Sequence, residues 1–152
     1  GSVTAVTPSQ SARISYRGRR LEGRIAFGRE CHGQLVFVAR EEDLRTTDLQ
    51  DKIAVLAFAP DRLQLETLSR SGLRGLICWC MDASEMVAWL GFEPGVINTG
   101  NESLPFAILI LAGFGQDAMP AALAAQLSAP LSCYLNPHTR IRAGVVRPFA
   151  SF

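Results

Sequence analysis

Between residues 53 and 128 the sequence falls three times into one order: a short apolar run, a helix-opening signal, then an amphipathic stretch. The runs 53–58, 76–80 and 106–111 are strand-sized and lack polar alternation, the pattern of strands covered on both faces. After the first, Pro60-Asp61 opens a helix: Asp61 and Gln64 are spaced as a capping box, Leu65 and Leu68 share a face, and Gly72 closes it. After the second, Asp82 and Glu85 repeat the box, Met86, Trp89 and Leu90 form one face, and Gly91 terminates. After the third, Gly113-Phe114-Gly115 leads into an alanine-rich helix over 117–128, with Leu123 and Leu127 one turn apart and Pro120 in the first turn. Parallel strands need such crossovers, which are right-handed almost without exception, so the middle of the chain predicts a parallel sheet flanked by helices.

The flanks read differently. Residues 13–27 alternate in short apolar stretches broken at Gly18 and Gly23, as half-buried antiparallel strands do. Residues 35–38 predict a strand covered on both faces, and 41–50 a short helix through Leu44 and Leu49. Strands 132–135 and 141–146, split by Asn136-Pro137, return to β. The expected fold class is α/β: a three-layer β/β/α sandwich with a central, mostly parallel sheet and terminal antiparallel strands paired in a second sheet. At 152 residues this is one domain, placed at 13–152. Residues 1–12 are expected to be a disordered tail behind a tag remnant, Gly1-Ser2, which suggests a piece of a longer protein.

With 48% apolar residues the chain has the means to build a core, and no apolar run approaches the roughly 18 residues of a spanning helix. Four cysteines (Cys31, Cys78, Cys80, Cys133) are too few and too irregular for a disulfide scaffold, so reduced thiols and a cytoplasmic location are expected. The net charge of +1 hides an asymmetry: Arg13, Arg17, Arg19, Arg20, Arg24 and Arg29 face one acid, Glu22, across 13–29, and Arg140, Arg142 and Arg147 follow Asp117 with no acid. Joined in space, they would steer an anionic partner; otherwise they form a solvated sheet face. Lys52 is the only lysine, which speaks against nucleic acid.

Residues 49–79 (LQDKIAVL, a helix, then GLRGLICW) and 104–110 (LPFAILI) resemble the core of protease-associated-type domains and their relatives among swivelling β/β/α domains. That resemblance implies a non-catalytic module that positions substrates, carries groups or binds partners. Residues 97–148, with INTGNESLPF, GFG and TRIRAGVVRP, are similar to the C-terminal half of a domain in uncharacterised bacterial multidomain proteins. An acid precedes the GFG in those relatives, where this chain has Ala112.

The candidate ligand site gathers Thr99, Asn101 and Glu102, the turn glycines Gly113 and Gly115, and Arg140 with Arg142. Open α/β sheets bind ligands at the carboxyl edge, where helix-opening amides attract anions. The turn even spells GxGxxA through Ala118, a dinucleotide-type fingerprint, but no acid follows about 20 residues on and the turn belongs to the last βα unit rather than the first, so a structural tight turn with an ordinary helix start is the preferred reading of the glycines. A nucleotide or other anionic small molecule is therefore the alternative to partner binding. Cys78 and Cys80, two apart on a strand, with Cys31, His32, Cys133 and His138, lack the tight knuckles of a zinc site and read as buried hydrophobes. Cys31 and His32, adjacent on a strand, point to opposite faces, and no GxSxG elbow exists, so no catalytic residue, metal or cofactor is expected. Trp79, Trp89, Phe92 and Phe114 are read as core, Phe114 with an exposed partner anchor as its alternative.

Overall fold

The computed structural model describes residues 2–7, 11–15, 18–93, 103–138, 140–141 and 145–152. The first strands are β1 (Ser2–Thr7), β2 (Ser11–Ser15), β3 (Arg20–Glu22), β4 (Ile25–Phe27) and β5 (Cys31–Val38), followed by a 3-10 turn at Glu41–Arg45. Then come β6 (Ile53–Leu56), α1 (Arg62–Ser69), β7 (Gly75–Met81), α2 (Ala83–Leu90), β8 (Ala107–Phe114) and α3 (Ala121–Leu127). The chain ends in β9 (Ser132–Asn136), β10 (Arg140–Ile141), β11 (Val145–Val146) and β12 (Phe149–Ser151). β1 pairs with β2 and β10 with β11 as antiparallel hairpins. The first of these occupies a stretch that the sequence reads mostly as a disordered tail.

The α/β class holds. An eight-stranded mixed sheet runs β3-β12-β9-β5-β6-β7-β8-β4, with β5, β6, β7 and β8 parallel and the rest antiparallel. The apolar runs are unbroken because both faces are covered. Ala54, Leu56, Leu76, Cys78, Ile108 and Ile110 meet α1 and α2 through Leu65, Leu68 and Met86. Their alternates Ile53, Val55, Ile77, Leu109 and Leu111 meet α3 through Leu127, and β9 and β12 through Cys133, Leu135 and Ala150. Helices, parallel strands and antiparallel strands thus form three layers.

Two strands join the β layers by changing partners along their length. β5 pairs antiparallel with β9 from Cys31 to Gln34, then parallel with β6 from Leu35 to Val38. Residues 20–27 do the same: β3 pairs with β12 and β4 with β8. In a flat sheet the two outermost of eight strands lie ~34 Å apart. Glu22 and Ile25 are three residues apart and span at most about 11 Å, so the sheet must close on itself. The switch sits at Gly23-Arg24, where Gly23 donates its N–H to Pro148 and Arg24 to Ile110. A Cβ at Gly23 would overlap the Leu109 side chain and stand 3.0 Å from the Ile110 carbonyl oxygen, so this corner requires glycine for its close approach.

Asp61 and Gln64 make the predicted capping box on α1, and Gly91 closes α2 in the left-handed region at φ 77°. Only half of the second box forms. Asp82 accepts from the Ser84 and Glu85 amides, but the Glu85 carboxylate turns to the Arg62 amide at 2.8 Å and ties α2 to α1. The predicted helix over 117–128 begins at Ala121, because the preceding residues run extended past the end of β6, where the Met119 amide bonds to Ala57.

Candidate functional site

The carboxyl ends of the parallel strands surround a pocket of about 300 Å³ to which the chain contributes after every one of them. Glu41 follows β5, Phe58 to Asp61 follow β6, Asp82 and Glu85 follow β7, and Gln116 and Ala118 follow β8. This is the edge at which α/β folds place ligands. Three of its four carboxylates already have structural work. Asp61 caps α1, Glu85 holds the Arg62 amide, and Asp82 caps α2 while accepting Gln116 Nε2 at 2.9 Å. Hydrogen bonds from Ser84, Gln116 and the Glu85 amide hold the Asp82 carboxyl down at about 2.

The predicted ligand residues divide. Gly113 (φ 118°) is part of β8, and Gly115 (φ 154°) follows it at the rim, donating its N–H to the Met81 carbonyl at 3.0 Å. Thr99, Asn101, Glu102 and Arg142 lie outside the described residues, as does the Arg140 side chain, whose backbone is in β10. The β10–β11 pair follows β9 in the chain, and β9 pairs with the start of β5.

Phe114 corrects the core reading. It is 51% exposed, the last residue of β8 beside Met81. Among the described residues β4 pairs with β8 from Ile108 to Ile110, with one further bond from the Arg24 amide to the Ile110 carbonyl, so that ladder stops short of Phe114. Phe92, also expected in the core, is exposed as well. Trp79 packs partly buried in the core between α3 and the antiparallel strands. Trp89 does pack inward, stacking on Phe106 at 5.5 Å and donating Nε1–H to Ser69.

A second surface was not read from the sequence. The outward face of β5, β9 and β12 holds a mostly apolar cleft of about 510 Å³, lined by His32, Gln34, Ser132, Tyr134, Ser151 and Phe152. Period-two alternation places His32, Gln34, Ser132 and Tyr134 outside while Cys31, Cys133, Leu135 and Ala150 point into the core; Ser151 is buried and Phe152 packs against that core. Cys31 and His32 thus face opposite ways, as expected. All four cysteines are free, and burial raises the Cys31 thiol to about 11, Cys133 to about 12, and Cys78 further still. Among the described residues no three His, Cys, Asp or Glu side chains gather as a metal site, and no helix is long and apolar enough to cross a membrane. Of the arginines, Arg19, Arg20, Arg24, Arg29 and Arg147 are exposed, and Arg20 lies over the Phe149 ring at 3.9 Å.

Comparisons with protein-family models, curated proteins and solved structures find no match.

Proposed function

We propose that this chain is a cytoplasmic, non-catalytic binding module of the swivelling β/β/α kind that docks another domain of its parent chain, or a protein partner, against the carboxyl rim. The observation that carries this reading is Phe114, a large aromatic held half-exposed at the end of β8, next to a pocket framed by all four parallel strands. Aromatic anchors on a rigid rim dominate the energetics of protein interfaces. The rim is rigid because its carboxylates cap α1 and α2 and bridge to Gln116.

A phosphate at the glycine turn has less support. The Gly115 amide is already given to Met81, α3 opens six residues later at Ala121, and the nearest charged groups of the pocket are carboxylates. The test is hydrogen–deuterium exchange on the isolated chain and on its full-length parent. Protection is expected around Phe114 and residues 57–61, and Phe114→Ala should remove it without lowering Tm by more than a degree or two. Unchanged exchange at the rim, or a thermal shift with a nucleotide panel, would overturn the reading.

A further inference from the structure

The corner that closes the sheet also brings together arginines from the early and late parts of the sequence. Gly23 donates its N–H to the Pro148 carbonyl at 2.9 Å. Arg24 and Arg147, each one residue from a partner of that bond, therefore have Cα atoms within roughly 13 Å of one another. Gly23 and Pro148 are buried while Arg24 and Arg147 are exposed, so the backbone of the corner is packed and both arginine side chains are left to solvent. The β10–β11 pair adds a third backbone position, because Arg140 stands opposite Val146, the residue before Arg147.

The corner holds little to neutralise these charges. Among the described residues neither Arg24 nor Arg147 takes part in an ion pair, whereas Arg40, Lys52, Arg62 and Arg74 are each held by an acid. The nearest acid by register is Glu22, opposite Phe149, and Arg20 already holds it at 3.5 Å. No acid follows Asp117 in the sequence, so the β10–β11 segment brings none. A chain of net charge +1 thus concentrates positive charge at one place on its surface.

We infer that this corner is an interaction surface for a short acidic segment of a partner protein, with Arg24 and Arg147 as its carboxylate-binding residues. Guanidinium groups match carboxylates two hydrogen bonds at a time, which suits them to acidic side chains. A nucleic acid fits less well, because Phe149, the ring in register beside the corner, is covered by Arg20 and offers no stacking platform. The surface is distinct from the Phe114 rim: Arg24 bonds to Ile110, four residues before Phe114, roughly 13 Å along β8.

A backbone-amide NMR titration of the 152-residue chain with a hexaglutamate peptide reads the outcome. The largest shift changes are expected at residues 22–25 and 147–149, and they should fade as salt is raised from about 0.05 to about 0.5 M. Arg24→Gln and Arg147→Gln remove charge and keep bulk; each should weaken binding about two- to fivefold, and the double variant more than either. Arg70→Gln, at an exposed arginine on the end of α1, should change nothing. The dispersion of the same spectra reports whether each variant is folded. Phe114→Ala should leave hexaglutamate binding as it is, so the corner and the rim stand or fall separately. Shift changes spread over the exposed arginines in general, a loss at Arg70→Gln equal to that at Arg24→Gln, or tighter binding of an octathymidine strand than of hexaglutamate would overturn the inference.

Discussion

The parallel and antiparallel halves of the sheet are built on different rules. In β6, β7 and β8 successive residues alternate between two cores, so nearly every side chain is buried and the strand is an unbroken apolar word. In β9 only every second residue reaches a core, and its neighbours Ser132 and Tyr134 face out. The first half supplies stability and a rigid rim. The second draws its stability from one face and leaves much of the other exposed.

Neighbouring truncations sharpen this contrast most. Ile108→Ala and Leu109→Ala, on opposite faces of β8 and both fully buried, should each cost ~2–5 kcal/mol in urea denaturation. In β9, Leu135→Ala should cost as much, but the adjacent Tyr134→Ala under about 1 kcal/mol. Equal losses at Leu135 and Tyr134 would erase the distinction. Next in size is the corner that joins the halves. Gly23→Val should destabilise by ~1–3 kcal/mol in the same assay, because the new side chain meets Leu109 and the Ile110 carbonyl, and a neutral result would mean that the strands do not approach there.

The cysteines probe the inner face of the antiparallel half. Their folded pKa values, about 11 for Cys31 and about 12 for Cys133, stand above the ordinary 9.0 because burial disfavours the thiolate. The stabilisation is therefore complete below pH 9 and is lost as pH rises through 11 to 12, where the unfolded chain has already released its protons. Thermal melts should show that loss, and Cys31→Ala/Cys133→Ala should flatten it; an identical alkaline slope in the variant would place the thiols in water. A small effect belongs to the parallel half's connections: Asp61→Ala removes the α1 cap and should cost about 1 kcal/mol by chemical denaturation.

The same contrast decides what the sequence could tell. The βα units were legible because double burial writes continuous apolar runs and because caps such as Asp61 with Gln64 are local. Glu85 misled because its partner, the Arg62 amide, lies 23 residues away. The GFG segment looked like a free turn, yet Gly113 and Phe114 complete β8, and the helix waits until Ala121 while Met119 bonds to Ala57. β12, only three residues long, carries no signal of its own; pairing with β3 and β9 makes it a strand. The pairing of β3 with β12 and of β5 with β9 joins segments about 100 residues or more apart, which no local pattern encodes.

The central claim is that the chain leaves the antiparallel half as β3 and, through the Gly23-Arg24 corner, enters the parallel half as β4, closing the sheet. Cross-strand nuclear Overhauser contacts test it directly. The closed sheet predicts contacts from Leu21 to Ala150 and from Ala26 to Leu109 in the same folded sample. Finding Leu21 and Ala26 beside a single common strand, or either contact missing from an otherwise assigned sheet, would contradict it.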